Sequence, residues 1–175
     1  MHDKIQCDIL AAVNDQPIAY HLTFGTYGTR LHGNDRGTVH RLMNHPGDPI
    51  VGRAEAWQRM ERSLLKYPMV ILTEQQRLMI EETIPSICER GGWKFLHCAA
   101  RADHVHVQLK GNTEGKAIRR WLKTWLGQAL NVRWPKPVGA SWWAECGSVK
   151  WIWPDDYFEN VYLYIDDQRT TPGPR

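Results

Sequence analysis

Two histidines separated by one residue lie within an apolar, β-branched run of the chain. The run reads Asp103-His104-Val105-His106-Val107, and we interpret it as a β-strand, in which successive side chains point to opposite faces. His104 and His106 would then project side by side from one face, while the valines would be buried on the other. Two adjacent imidazoles are half of a metal site, although two polar residues on the solvent face of an ordinary strand have the same spacing.

A tyrosine and a glutamine stand four residues apart near the other end of the chain. Tyr164 and Gln168 lie in a segment with helical periodicity, so both would point to one flank of the helix. The apolar stripe of that helix, predicted to face the core, consists of Phe158, Val161, Tyr162 and Ile165. Tyr164 would lie beside this stripe, on a flank of the helix. The alternative is that Tyr164 is an ordinary boundary aromatic with its hydroxyl in water. A metal-binding strand and a tyrosine-bearing helix together suggest a nucleophile that attacks a phosphate.

Basic residues form a row in the middle of the chain. The row follows the i, i+3, i+4, i+7 pattern of one helix face and consists of Lys116, Arg119, Arg120 and Lys123. A helix face of a single charge sign favours contact with a polyanion backbone such as DNA, and plain solvent exposure is the alternative. A weaker second candidate, in the long segment after the first strand, consists of Arg30, Arg36, Arg41 and Arg53.

Composition limits the class of protein. A chain of 175 residues, 42% hydrophobic and 23% charged, is expected to form one globular domain. No run is long enough for a membrane span, and no signal-peptide pattern begins the chain, so we expect a cytoplasmic protein. The four cysteines include no Cys-x-x-Cys pair, which argues against a zinc ribbon and for reduced thiols. Four of the nine tryptophans lie at 142–153, where at least one is expected to be exposed and able to stack an unpaired base.

Periodicity and turn residues predict an alternation of strands and helices. The predicted elements are a strand at 19–24, a helix at 54–66, a helix capped by Thr73 and ended by Gly91-Gly92, strands at 93–100 and 104–110, a helix at 114–132, a strand pair at 142–144 and 149–153, and a helix after Pro154. This order implies an α+β protein, with an antiparallel sheet and helices packed on one face. Residues 1–18 are predicted to be an N-terminal extension, 19–169 the domain, and 170–175 a flexible tail.

Three short motifs carry a family resemblance. They are Tyr20-His21-Leu22-Thr23-Phe24, the segment from Arg101 to Val107, and Val161-Tyr162-Leu163-Tyr164-Ile165 followed by Gln168. In this order they resemble the single-tyrosine HUH transposases of small bacterial insertion sequences, including their REP-associated relatives. The likeness covers roughly residues 19 to 168.

The resemblance implies a fold, an activity and a set of site residues. It implies a ferredoxin-like sheet, with His104, His106 and Gln168 as ligands of Mg²⁺ or Mn²⁺ and Tyr164 as the nucleophile. The expected partner is single-stranded DNA containing hairpins, and the product is a 5′-phosphotyrosine with a free 3′-hydroxyl. Both monomers and homodimers occur in the family. Since the phosphotyrosine keeps the energy of the phosphodiester, no nucleotide cofactor is needed, which agrees with the lack of a phosphate-binding Gly-x-x-x-x-Gly-Lys loop.

Two rival hypotheses remain at this point. A nucleotide hydrolase with a His-x-His-x-His strand would use a third histidine, but Gln108 occupies that position. A non-catalytic nucleic-acid-binding module of the same fold, a domesticated descendant of an enzyme, would bind DNA without cutting it.

Overall fold

The computed structural model describes residues 18–31, 54–153 and 157–170. Its elements in chain order are β1 (Ala19–Gly25), α1 (Glu55–Ser63), α2 (Glu74–Gly91), β2 (Lys94–Ala100), β3 (His104–Lys110), α3 (Gly115–Arg133), β4 (Ser148–Ile152) and α4 (Tyr157–Thr170). The start of the last helix at Pro154 to Asp156, most of the predicted N-terminal extension and most of the predicted tail lie outside the described residues. Within the described ranges, no helix is long and apolar enough to cross a membrane.

The four strands form one antiparallel sheet in the order β2-β3-β1-β4. The order of elements around it, β1-α2-β2-β3-α3-β4, is the split arrangement of ferredoxin-like domains. The predicted α+β class and antiparallel sheet are confirmed. β3 and β1 are the central strands, so each has a neighbouring strand on either side.

One face of the sheet carries the main core. Val105, Val107 and Leu109 of β3 are fully buried on it beneath α2 and α3. Thr73 begins α2 with the predicted capping box, in which its side chain and that of Gln76 bond each other's backbone N–H. Gly92 ends the helix in the left-handed region at φ 69°, which a residue without a Cβ adopts freely.

Pro85 lies inside α2, and the helix continues through it. A proline cannot donate to the carbonyl four residues earlier, so the carbonyl of Glu81 loses its helical partner. The thiol of Cys98 on β2 lies 3.9 Å from that oxygen. The missing hydrogen bond thus falls where β2 packs against the helix.

The opposite face of the sheet is covered in part by α4. A second, smaller apolar cluster forms there from Ala19, Ala99 and Ile152 of the sheet with Val161 and Ile165 of the helix. We predicted helices on one face; α2 and α3 pack there, while α4 crosses the other face. The reason is that the second face carries both this apolar patch and polar side chains, among them His104 and His106. Only part of that face can therefore pack against a helix.

The predicted hairpin between 142–144 and 149–153 is wrong. Trp143 forms an isolated antiparallel bridge with Thr26, and Ser148 at the start of β4 pairs with Thr23. Both segments therefore run in the same direction along β1 and cannot pair with each other as a hairpin. The clustered tryptophans gave the sequence a hairpin-like pattern, but the partners of the two segments are Thr26, just beyond β1, and β1 itself.

The described cysteines are free thiols, as predicted. Cys88 and Cys98 are buried, and burial raises the pKa of each to about 12, while Cys146 is exposed. A thiol with so high a pKa is a poor nucleophile. Cys7 lies outside the described residues.

Candidate active site

A cleft of about 830 Å³ opens between α4 and the polar part of the sheet. Its floor comes from β3, β1 and β4, and one wall comes from α4. Five of the predicted site residues line it: Arg30, His104, His106, Tyr164 and Gln168. These five residues, which come from three separate segments of the chain, thus meet in one place.

The two histidines of β3 are buried in the floor of the cleft. Their side-chain rings are perpendicular, with centroids 4.7 Å apart. His104 Nδ1 lies 2.5 Å from the Asp103 carboxylate, and His106 Nδ1 lies 3.0 Å from Thr23 Oγ1. His106 Nε2 is buried and has no hydrogen-bond partner among the described residues. Because their Nδ1 atoms are occupied in this way, the Nε2 atoms are the ring nitrogens that remain for a further ligand.

A third histidine, His21, joins the pair from β1. Its Nε2 lies 3.1 Å from His106 Nδ1, and Thr23, two residues on, is the register partner of His106. His21 was not among the predicted site residues, although the alternation of β1 that places it here is present in the sequence. Tyr20, Leu22 and Phe24 alternate with it on β1 and are buried in the main core, so His21 and Thr23 must face the other side.

Burial keeps the imidazoles of His106 and His21 neutral. Desolvation lowers the pKa of His106 to about 3, and the nearby positive charges of Arg30 and Arg101 act in the same direction. Desolvation and then Lys150 lower the pKa of His21 to about 4. Both rings are therefore uncharged at neutral pH, which is the form of imidazole that binds metal ions.

Tyr164 extends from α4 over the histidines. The centroid of its ring lies 5.4 Å from that of His106 and 6.0 Å from that of His21, in both cases edge to face. The residue is 49% exposed, so the phenol is open to a bound substrate. Tyr162, predicted to be in the core stripe, is instead 43% exposed and stacks on His97 at 4.3 Å, away from the cleft.

The C-terminal turn of α4 is fixed to the sheet by charged side chains. Gln168, one turn beyond Tyr164, lines the cleft, and Arg101 donates a hydrogen bond to its backbone carbonyl. Arg169 lies 3.2 Å from Glu81 of α2. Glu81 also accepts a hydrogen bond from the backbone of Ala100 at the end of β2. These contacts join the helix to the elements that end beside the cleft.

The side chains present fit a divalent cation held by imidazole and amide. A carboxylate or hydroxyl on Nδ1 orients a histidine so that Nε2 faces a metal, and Asp103 and Thr23 supply those partners. The buried Nε2 of His106 without a partner is the atom that a cation would satisfy. In the described part of the chain, no group of three or more His, Cys, Asp or Glu side chains is placed to hold a metal. A cation here would therefore depend on the Gln168 amide, substrate oxygens or water.

Gln108 stands where the rival hydrolase would carry its third histidine. It is fully buried, and its Nε2 donates to the carbonyl of Phe158 at 3.3 Å, beneath the first turn of α4. It does not line the cleft. A side chain at position 108 therefore lies beneath α4 and outside the cleft, which argues against a three-histidine catalytic strand.

We expect Gln108→Leu to leave the stability of the protein within about 1 kcal/mol of wild type or to raise it. The amide makes one long hydrogen bond, and its Oε1 has no partner among the described residues. A buried acceptor without a partner costs about 1–3 kcal/mol, and an apolar side chain of similar size removes that cost. Urea unfolding measures the difference, with Leu109→Ala as a core control that should lose about 2–5 kcal/mol. A loss of similar size in Gln108→Leu would contradict this assignment.

The predicted basic row lies together on α3, but two of its members are engaged. Arg119 donates to the carbonyl of Gly147, and Lys123 donates to those of Ala144 and Glu145 at 2.6 and 2.8 Å. These bonds hold the segment that precedes β4 against the helix. Lys116 and Arg120 are exposed. DNA contact by the row stays a prediction, with these two cations as its accessible members.

The other predicted cations divide between the cleft and the part of the chain that is not described. Arg30 lines the cleft beside the β3 histidines, and Gly25 makes room for it, since a Cβ there would lie 2.8 Å from Arg30 Cγ. Arg36, Arg41 and Arg53 lie outside the described residues.

The clustered tryptophans divide into two kinds. Trp142 and Trp143 are buried, and their indole N–H groups donate to Asn131 and to the carbonyl of Lys123. Trp151 and Trp153 are 60% and 40% exposed. The first pair is structural, and the second is the pair available to a ligand.

Comparison with known proteins gives little help with function. No family model and no curated protein matches the chain. One solved structure that resembles it is that of a putative transposase from Deinococcus radiodurans R1, which is 14% identical. The alignment covers 89% of this chain and 93% of that one, with a TM-score of 0.47.

Proposed function

We propose that this protein is a metal-dependent single-strand DNA endonuclease and strand transferase of the single-tyrosine HUH type, which acts as a transposase. The observation that carries the proposal is the meeting of Tyr164 with His106 and His21 in one cleft, at ring distances of 5.4 and 6.0 Å. A phenol at the edge of two neutral imidazoles, beside arginines, has the parts needed for attack on a phosphodiester.

The proposed reaction replaces one phosphate ester with another. Tyr164 Oη forms a bond to phosphorus, and the bond from phosphorus to the 3′ oxygen breaks. The leaving oxygen takes up a proton to become the 3′-hydroxyl, while the phenolic proton passes to water at the open side of the cleft. The 5′-phosphotyrosine can then be attacked by another 3′-hydroxyl, which rejoins a strand and restores the tyrosine.

A phenol is a weak nucleophile at neutral pH, so the phosphate that it attacks must be activated. His104, His106 and Gln168 would hold the divalent cation, and imidazole ligands favour Mn²⁺ somewhat more than Mg²⁺. When bound, the cation supplies charge stabilisation to the phosphate and the leaving oxygen. Arg30 and Arg101 line the same cleft and would attract the phosphate backbone.

The test is the formation of a covalent adduct. We expect the protein, incubated with end-labelled hairpin-containing single strands and Mn²⁺, to yield a protein–DNA species that survives denaturation, and we expect peptide mass mapping to place it on Tyr164. EDTA should prevent its formation. Tight binding without any adduct across a panel of such strands would overturn the proposal and favour the non-catalytic DNA-binding module.

A further inference from the structure

The edge strand β4 presents different chemistry on its two faces. Lys150 points to the face that carries the cleft and lines it, together with Ser148. Val149 and Trp151 point to the opposite face, and Trp153, just beyond the strand, follows the same alternation. The rings of Trp151 and Trp153 lie 6.4 Å apart. A cation and two indoles thus occupy opposite faces of one strand at the edge of the sheet.

Lys150 places a positive charge at one end of the cleft. It is the register partner of His21 on β1, whereas Gly25, which packs against Arg30, pairs with His104 at the other end. From His21 to Gly25 is four residues, or about 13 Å along the strand. Cations therefore flank the imidazoles and Tyr164 on both sides. That arrangement suits an extended chain of phosphates better than a single small anion.

The face of β4 that carries the exposed tryptophans packs against the start of α3. Val149, on the same face as Trp151, packs against the start of α3, since a Cβ at Gly115 would lie 2.5 Å from its Cγ1. The exposed Lys116 is the next residue of that helix. A large exposed aromatic surface next to cations is the arrangement with which proteins bind unpaired bases and their backbone.

We propose that β4 is a single-strand binding edge, where Lys150 contacts a phosphate inside the cleft and Trp151 and Trp153 stack bases of the same strand as it passes around the edge. This surface extends the proposed function, because it gives the substrate strand a path away from Tyr164. The ligand is single-stranded nucleic acid, and stacking on indole makes the contact tolerant of sequence.

Equilibrium binding in EDTA tests the edge separately from the chemistry. We expect the double variant Trp151→Ala/Trp153→Ala to bind labelled oligo-dT at least about tenfold more weakly than wild type. Trp121→Ala, an exposed tryptophan of α3, should change affinity less than about twofold. Lys150→Gln should lower the slope of log affinity against log salt by about 0.7, whereas Lys94→Gln on the opposite edge strand should leave it unchanged.

An abasic oligonucleotide separates stacking from charge. Wild type and the double tryptophan variant should bind it equally, because it has phosphates but no bases. The double variant Trp151→Phe/Trp153→Phe keeps an aromatic ring at both positions and should recover part of the oligo-dT affinity. A merely structural role of the tryptophans would instead change the affinity for oligo-dT and for the abasic strand together.

Two results would contradict the proposed binding edge while leaving the proposed function intact. The first is an oligo-dT affinity that is unchanged in both the tryptophan and lysine variants, with normal adduct formation. Protection of both indoles from acrylamide quenching in the free protein is another, since it would mean that the edge is already covered. A different result would separate the two proposals in the other direction. If the tryptophan variant lost base-dependent binding while wild type formed no adduct, the binding edge would be supported and strand transfer contradicted.

Discussion

Tyr164→Phe is expected to reduce covalent adduct formation to below detection while single-strand affinity changes less than about threefold. The substitution removes the oxygen that would bond to phosphorus and keeps the ring that lies 5.4 Å from His106. Among the described residues that line the cleft, no other side chain carries a phenol or a thiol. The remaining hydroxyls belong to Ser148 and to Thr23, whose Oγ1 lies 3.0 Å from His106 Nδ1. An enzyme that loses its nucleophile loses the chemical step but keeps its binding energy.

Tyr162→Phe is the matched control for this experiment. Tyr162 is exposed to a similar extent and lies two residues away on the same helix, but it stacks on His97 outside the cleft. It should form adduct at the wild-type rate within about twofold. Full adduct formation by Tyr164→Phe, or its loss in Tyr162→Phe alone, would assign the nucleophile to another residue.

Local pattern was sufficient to predict much of the molecule. β3 begins and ends at the predicted residues because its odd positions are apolar and its even positions polar, and a period of two admits only one arrangement. The boundaries of α2 followed from a capping box and a glycine, which are local chemical signals. The approach of α4 to His104 and His106, in contrast, was expected only from the family resemblance.

The predictions failed or were silent where the partner of a segment is distant in sequence. The segments of Trp143 and β4 have a hairpin-like pattern, but Trp143 pairs with Thr26 and β4 pairs with β1, more than a hundred residues earlier. His21 reaches the site only because β1 lies beside β3 in the sheet, with Thr23 opposite His106. Tyr162 was placed in the core because a helical stripe was assumed to be fully covered, whereas the apolar patch beneath α4 is narrow. Strand order therefore decided what the local pattern left open.

His106→Ala is expected to abolish metal-dependent cleavage and the response of the protein to Mn²⁺. Its Nε2 is buried in the floor of the cleft and has no partner among the described residues, so a cation bound there would satisfy it directly. A ligand that binds only the folded state raises stability, by about 2.7 kcal/mol at a concentration of 100 times its Kd. Mn²⁺ should thus raise the melting temperature of wild type and leave that of His106→Ala unchanged. Calorimetric titration with Mn²⁺ gives the affinity independently of activity.

Asp103→Asn should give a graded version of the same defect. Its carboxylate lies 2.5 Å from His104 Nδ1 and would orient that ring for metal binding, and loss of such a partner typically weakens metal affinity 10–100-fold. Cleavage should therefore recover at raised Mn²⁺ concentration in Asp103→Asn but not in His106→Ala. If His106→Ala kept both its Mn²⁺-dependent stabilisation and its cleavage, the cation would have to bind elsewhere. Since Tyr164 is positioned over the histidines, such a cation could not lie between the nucleophile and the imidazoles, and the proposed role of the β3 pair would be wrong.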